Sequence, residues 1–253
     1  MMVFFAATFL LTWAAWLPMI FTGEQEFLRI AGTFAPALTA LVLTGVLDGL
    51  PGLQEIGRQL LRWRVGAGIY GVALLTPPAL VLAAIWLAVW SGMPVPGFND
   101  PRQLYLIIPA FLYILFLSVL GEEIGWRGFA QQRLQPSLGG LKASLVVGVA
   151  WGLWHLPLFF IPGNFHAEIP VTAFLLQDLA LSVVMAWLYN RSGRSLLIVH
   201  LFHAASNTAL GVLPVLPMDT GGDVRPLWIA VFILCAWSVW AAVLMDSQKL
   251  ARR

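Results

Sequence analysis

The stretch GIYGVALLTPPALVLAAIWLAVW, Gly68 to Trp90, contains no aspartate, glutamate, lysine or arginine in 23 residues. A helix rises about 1.5 Å per residue, so a segment of this length can cross a hydrocarbon core roughly 30 Å thick. Pro77 and Pro78 lie inside it, and membrane helices tolerate proline when neighbouring groups satisfy the freed carbonyls. The stretch therefore predicts a membrane-spanning helix.

Similar uncharged stretches recur along all 253 residues, of which 60% are hydrophobic and 10% charged. Soluble domains carry roughly 25% charged residues, and outer-membrane barrels alternate polar and apolar residues in strands of about 10. The composition thus predicts an all-α, polytopic membrane bundle of about eight helices, forming a single integral-membrane domain over residues 1–253. The predicted spans are Val3–Phe21, Ile30–Leu47, Gly68–Trp90, Gln103 to about Gly121, Ala143–Ile161, Val171–Asn190, Leu196–Leu216 and Leu227–Met245.

Composition also excludes several classes of protein. The formal charge is +2, and no basic run is long enough to indicate a nucleic-acid partner. Cys235 is the single cysteine, so neither a disulfide framework nor a thiolate metal site can form within the chain. The first span lacks a basic leader and an evident cleavage site, so we interpret it as a retained helix. We expect a multi-pass protein of a prokaryotic cytoplasmic membrane.

The distribution of basic residues predicts the orientation. With both termini cytoplasmic, eleven of the 14 basic residues lie on the cytoplasmic side and three on the other, as the positive-inside rule requires. The eleven are Arg58, Arg62, Arg64, Arg127, Arg133, Lys142, Arg191, Arg194, Lys249, Arg252 and Arg253, and the three are Arg29, Arg102 and Arg225. Without Arg127, which could serve chemistry, the ratio is still ten to three.

The segment Asp48–Gly66 mixes apolar residues with three arginines and is too polar to span. We interpret it as a helix lying on the cytoplasmic surface. A solvated connector whose arginines set the topology is the alternative.

Ionisable groups inside a membrane cost about 2.5 to 17 kcal/mol each, so they mark candidate functional sites. Three clusters qualify: Glu122, Glu123 and Arg127; His155; and His200, His203 and Asn207. His203 and Asn207 are four residues apart and share a helix face. Taken singly, the clusters could be an interfacial anchor, a packing histidine and a hydrogen-bonding seam between helices.

The depths of the clusters can be estimated from helical rise. Counted from the nearest cytoplasmic charges, Glu122, His155 and His203 lie roughly 14 to 20 Å deep, provided that the fourth helix continues through Gly125 and Gly128. Counted from the other side, Glu122 falls at the cytoplasmic boundary. We favour the first estimate, which brings all three residues to one level.

At these clusters the chain resembles the CPBP intramembrane protease family, also called the CAAX prenyl protease 2 or abortive-infection family. Its three motifs read here Glu122-Glu123-x-x-x-Arg127, Trp151-x-x-x-His155 and His203-x-x-x-Asn207, with Trp151 in place of the usual phenylalanine. The resemblance implies an eight-helix hydrolase with a cavity open to the cytoplasm, in which peptide bonds are cleaved near the membrane.

The resemblance also implies catalytic roles. Glu122 and His155 would bind and deprotonate the attacking water. His203 and Asn207 would stabilise the tetrahedral oxyanion. Glu123 would pair with Arg127 and support the first motif. His200 lies outside the motifs, and we expect it to serve packing.

The sequence leaves open whether the proposed site binds a metal ion. Glu122, His155 and His203 could hold Zn2+ as a site of two histidines and one carboxylate. However, the zinc motif His-Glu-x-x-His is absent from the sequence, and a glutamate mechanism without metal is equally compatible.

The expected partners are the lipid bilayer and a peptide or membrane-protein substrate, with or without an attached lipid. A proton-coupled transporter or channel is an alternative, supported by Asp178 at a depth of about 12 Å from the other side. A non-catalytic immunity or scaffold protein on the same fold is a further alternative.

Overall fold

The protein is all-α in a computed structural model that describes residues 1–97 and 101–250, and no β-strand occurs in those ranges. Side chains are described at 1–97 and 104–245, so those of Arg102, Lys249, Arg252 and Arg253 lie outside the described part. The main helices are α1 (Met2–Trp16), α2 (Glu26–Thr33), α3 (Ala35–Leu60), α4 (Ala67–Trp90), α5 (Leu104–Leu138), α6 (Gly140–Trp154), α7 (Val171–Arg191), α8 (Leu196–Val212) and α9 (Arg225–Leu250). The predicted fold class is confirmed.

Within the described part of the chain, seven helical stretches are long and apolar enough to cross a membrane, and they correspond to seven of the predicted spans. The remaining predicted span, Leu196–Leu216, is the shorter helix α8, which ends at Val212 with 17 residues. The prediction placed its end too late because Leu213 precedes Pro214, and a residue before proline disfavours the helical conformation. Leu213 is accordingly extended, with φ −85° and ψ 140°.

Helix α5 continues well past the predicted end near Gly121, as the depth estimate required. It contains two π-helical segments, Leu115–Val119 and Trp126–Gln131, on either side of a short α-helical segment, Leu120–Gly125. Such wider turns are rare and occur frequently at functional sites. The segment between them carries both motif glutamates.

Helix α3 includes most of the segment predicted to lie on the membrane surface. The helix is kinked at Gly49, whose φ of 65° is a conformation that glycine adopts without a steric penalty. Helical structure then continues through Pro51 to Leu60, so the helical character predicted for this segment is correct up to Leu60.

Helix α6 ends at Trp154, before the predicted end of the fifth span at Ile161, and a 3₁₀ segment, Leu156–Phe160, follows. Pro157 explains this change because proline lacks the N–H that an α-helix interior uses. His155 therefore lies at the C-cap of α6, on a turn rather than within a regular helix.

The centre of the bundle is α7, which packs against α6 and α9. Every side chain of α7 from Ala180 to Tyr189 is buried. Large apolar side chains on outer helices, such as Leu75 on α4 and Phe232 on α9, are exposed. This arrangement suits a lipid solvent, which is as apolar as the side chains it contacts.

Candidate active site

The four residues predicted to be catalytic line one cavity of about 350 Å³. Glu122 comes from α5, His155 follows α6, and His203 and Asn207 come from α8. Segments separated by up to 85 residues of chain therefore converge on one cavity. Asn207 is half-buried, whereas the other three side chains are buried.

Glu122 is held by two hydrogen bonds and lies near a histidine. The Trp151 indole N–H donates to Oε2 at 2.8 Å, and the Ser118 hydroxyl donates to Oε1 at 3.1 Å. Nε2 of His155 lies 4.0 Å from Oε2, which is too long for a direct hydrogen bond. Both atoms belong to residues that line the cavity, so a water molecule there can contact the two groups together.

His155 is oriented from its other nitrogen. Nδ1 lies 3.0 Å from the Trp151 carbonyl oxygen and 3.3 Å from Oδ2 of Asp178. Because a carbonyl oxygen only accepts, Nδ1 carries the proton and Nε2 is the acceptor in the neutral ring. The hydrogen bond goes to the carbonyl, and the Asp178 carboxyl group lies beside the same nitrogen.

His203 rests on a buried ion pair. Its Nδ1 and Nη1 of Arg127 both lie 2.8 Å from Oε1 of Glu123. The side chains of Glu123 and Arg127 are fully buried, and the Arg127 guanidinium lies 4.8 Å from the ring centre of Trp151. The predicted contact between Glu123 and Arg127 is thus observed, and it also positions the histidine.

His200 is buried but is not among the residues that line this cavity. Its Nδ1 lies 2.6 Å from the carbonyl oxygen of Leu196, one turn earlier in α8. The contact agrees with the predicted packing role.

A connected cluster of five further polar residues lines part of the cavity, and the motifs identified none of them. Arg29 pairs with Glu24 at 3.0 Å and donates to the hydroxyl of Tyr113. Asn164 donates to the other oxygen of Glu24 at 3.2 Å and lies 2.7 Å from Nδ1 of His166. These residues come from the α1–α2 loop, α2, α5 and the loop before α7. Tertiary packing alone brings them together.

The ring of His166 is neutral at pH 7. Burial keeps its pKa well below the ordinary value, and the positive charges of His155, when protonated, and of Arg29 act in the same direction. Because Asn164 Oδ1 only accepts, Nδ1 of His166 is the protonated nitrogen.

The transporter alternative required Asp178 to mark a separate polar site on the other side of the membrane. Asp178 does not mark such a site. It lines the same cavity as Glu122 and contacts His155. The sequence did signal Asp178, as an ionisable residue within a span, but its partner was apparent only in the fold.

The cavity lies at the end of the bundle away from Met1. Trp16, at the end of α1, lines it, whereas Met1 and Phe4 line a groove at the opposite end together with Arg133 and Glu55. The predictions of cytoplasmic termini and of a cavity open to the cytoplasm are therefore incompatible, and one of them is wrong.

The donor atoms of Glu122, His155 and His203 do not fit a zinc site in this arrangement. In the described part of the chain, no group of three His, Cys, Asp or Glu side chains could hold a metal ion. Ligands of one zinc lie about 2.0 to 2.2 Å from it, whereas Oε2 of Glu122 already accepts from Trp151. Zn2+ dependence stays a prediction.

Comparison with known proteins shows a likeness to the CAAX proteases. Residues 104–209 match the type II CAAX prenyl endopeptidase Rce1-like family, and this range contains all three motifs. This stretch is therefore similar to the CAAX proteases. A relative, the CAAX prenyl protease 2 of the archaeon Methanococcus maripaludis, is 23% identical over 98% of this chain and 94% of its own. The resemblance stated from the motifs is confirmed.

This likeness to CAAX proteases supports a peptidase that acts on peptides or proteins in a membrane. Together with the apolar helices, it makes the chain an integral, multi-pass membrane protein.

Proposed function

We propose that this protein is an intramembrane endopeptidase of the CAAX-protease kind, in which Glu122, His155, His203 and Asn207 are the catalytic residues. The observation that carries the proposal is their convergence on one cavity from separate helices. The cavity is bordered by buried aromatic and aliphatic residues, where electrostatic interactions with a reacting group are stronger than in water.

In the proposed mechanism, Glu122 and His155 bind the attacking water between Oε2 and Nε2. Glu122 accepts its proton as the water oxygen attacks the scissile carbonyl carbon, and the proton then passes to the leaving amine. The hydrogen bonds from Trp151 and Ser118 hold the carboxylate in position. Preorganisation of this kind avoids rearrangement during the reaction.

His203 and Asn207 would stabilise the oxyanion of the tetrahedral intermediate. Glu123 accepts from Nδ1 of His203, so Nε2 can donate to the oxyanion when the ring carries both protons. The Glu123 carboxylate then lies beside the imidazolium as its counter-charge. Asn207 lies one helical turn from His203 and would contribute an amide N–H.

The proposed substrates are membrane-associated peptides or membrane proteins. The name of the archaeal relative refers to prenylated CAAX substrates, and an attached lipid is compatible with the apolar lining near Leu158, Phe174 and Leu210. A prokaryotic cytoplasmic membrane is the proposed location.

Reconstitution into liposomes with a panel of quenched peptides tests the proposal. Glu122→Gln should lower kcat by about 10²- to 10⁴-fold because the general base is lost, and Asn207→Ala should lower it by about 10²- to 10³-fold because an oxyanion donor is lost. Glu55→Gln, the same change at the opposite end of the bundle, is the control and should leave kcat unchanged. Equal activity of Glu122→Gln and the native protein would refute the assignment.

Chelation separates the two cofactor hypotheses. With the glutamate mechanism proposed here, kcat should be unchanged after dialysis against a chelator, since no step uses a metal. Loss of activity that Zn2+ restores, with Zn2+ bound to the native protein but not to His155→Ala, would instead support the metal site predicted from Glu122, His155 and His203.

A further inference from the structure

The two ends of the bundle differ in charge. Among the described side chains, the end away from the cavity carries seven basic and two acidic residues, and the cavity end carries two basic and five acidic residues. The first group is Arg58, Arg62, Arg64, Arg133, Lys142, Arg191, Arg194, Asp48 and Glu55; the second is Arg29, Arg225, Glu24, Glu26, Glu168, Asp219 and Asp223. The positive-inside rule places the basic end in the cytoplasm.

Tertiary contacts confirm that the basic residues share one end. Arg62 donates to the carbonyl oxygen of Gly193, and Arg133 pairs with Asp48. The hydroxyl of Ser195 donates to the carbonyl oxygen of Arg62 at 2.7 Å. The end of α3 and the connections before α6 and α8 therefore lie at the same end of the bundle, together with their basic residues.

Buried, hydrogen-bonded side chains fill the basic end of the bundle. The Tyr189 hydroxyl donates to Gln59 at 2.6 Å and lies 3.2 Å from the side-chain oxygen of Gln132. These contacts join α7, α3 and α5. Glu123 and Arg127, which follow Glu122 in α5 towards this end, are fully buried.

The cavity end, in contrast, reaches the surface. The Glu24 and Arg29 side chains line the cavity and remain 32% and 21% exposed. Phe165, in the loop before α7, also lines the cavity and is exposed. Access to the four catalytic residues therefore comes from the acidic end.

We infer that the cavity opens on the extracytoplasmic side of the membrane and receives peptide segments that lie in or emerge from its outer half. Resting on the proposed function, this inference specifies the substrate: an extracytoplasmic flank of a membrane-inserted peptide, and not a chain end presented from the cytoplasm. The acidic excess at this end of the bundle favours a neutral or basic flank through Coulomb attraction.

The orientation can be measured by cysteine labelling, because Cys235 is the single cysteine and Cys235→Ser supplies a cysteine-free background. Met218→Cys reports on the cavity end and Trp63→Cys on the basic end, and the native side chains are similarly exposed, at 53% and 61%. Cells, stripped of any outer envelope, are treated with a membrane-impermeant sulfonated maleimide before or after permeabilisation.

The expected result is full labelling of Met218→Cys in intact cells and labelling of Trp63→Cys only after permeabilisation. The reverse pattern, or equal labelling of both in intact cells, would overturn the inference. A second pair, Phe27→Cys at the cavity end and Leu61→Cys at the basic end, keeps the test decisive if one variant fails to fold; the native residues are 80% and 77% exposed.

A peptide assay tests the substrate class separately. Right-side-out vesicles should cleave an added impermeant peptide with basic flanks, inverted vesicles should not, and Glu122→Gln should abolish the cleavage. Cleavage by inverted vesicles alone would contradict the inference. If neither preparation cleaves while the labelling pattern is as expected, the proposed function fails and the orientation stands.

Discussion

Trp151 connects the parts of the site at the scale of single residues. Its indole N–H donates to Glu122, its carbonyl oxygen accepts from His155, and its ring contacts His203 edge to face with centroids 5.1 Å apart. The usual phenylalanine of the family motif could make the ring and carbonyl contacts but has no N–H to donate. This chain therefore positions its proposed base with a group that the common motif lacks.

We predict that Trp151→Phe lowers kcat and leaves KM nearly unchanged. The substitution keeps an aromatic ring but removes a hydrogen bond to a charged acceptor, an interaction of about 1.5 to 3 kcal/mol. Since Glu122 would contact water rather than substrate, substrate binding should be little affected. Steady-state kinetics on a cleaved peptide measure the two parameters.

Trp154→Phe is the matched control for this prediction. Trp154 also lines the cavity, but its N–H donates to Thr12 at 2.8 Å and not to a proposed catalytic residue. Its loss should reduce stability more than kcat. An equal fall in kcat for both variants would show that the Trp151 hydrogen bond has no specific role.

At the scale of elements, the position of α5 depends on close packing against the α2–α3 junction. A Cβ at Gly121 would lie 2.7 Å from the carbonyl oxygen of Thr33, and one at Gly125 would lie 2.5 Å from Cβ of Pro36. The two glycines are four residues apart and share one helix face, which leaves the intervening glutamates to point away from α3. Small residues at helix interfaces serve this purpose in membranes.

We predict that Gly125→Ala destabilises the protein by about 1 to 3 kcal/mol, the usual cost of overpacking, because the new methyl group would overlap the Pro36 backbone. Thermal unfolding of the purified protein in detergent measures the effect. Gly57→Ala is the control: a Cβ there meets nothing within 4 Å, so the change should raise helix stability slightly. A Gly125→Ala protein as stable as the native one would rule out this packing argument.

For the whole molecule, the buried hydrogen bonds at the basic end tie three helices together on the side away from the cavity. Gln59 of α3, Gln132 of α5 and Tyr189 of α7 take part. Each of these buried groups needs a hydrogen-bond partner, since an unsatisfied buried polar group costs about 1 to 3 kcal/mol of folding free energy. The network therefore stabilises the closed end without touching the proposed reaction.

We predict that Tyr189→Phe lowers Tm by about 2 to 4 °C per kcal/mol lost, a range typical of chains of 150–250 residues, while kcat and KM are retained. Tyr70→Phe is the control, because its hydroxyl donates to the Trp63 carbonyl oxygen at an exposed position. Thermal unfolding and peptide cleavage are measured on the same preparations. A large loss of activity in Tyr189→Phe without a loss of stability would contradict the separation of closure from catalysis.

Much of the site could be predicted from local spacing. Pairing of Glu123 with Arg127 follows from their separation by one helical turn, and the shared face of His203 and Asn207 follows in the same way. The contacts of Asp178 with His155 and of Asn164 with Glu24 cross 23 and 140 positions of the chain. No local pattern contains such contacts, because helix packing creates them.

Sequence patterns alone predicted an all-α membrane protein, the positions of its apolar helices and its likeness to the CAAX proteases, because long uncharged runs and turn-spaced motifs are local properties of the chain. The predicted ends of the fifth and seventh spans were too late, because Pro157 and Pro214 end the helices earlier. The predictions of cytoplasmic termini and of a cavity open to the cytoplasm were incompatible with each other. Only the tertiary structure decided which end of the bundle is open, because that depends on how Tyr189, Gln59 and Gln132 close one end while the helices around Glu24 and Arg29 leave the other accessible.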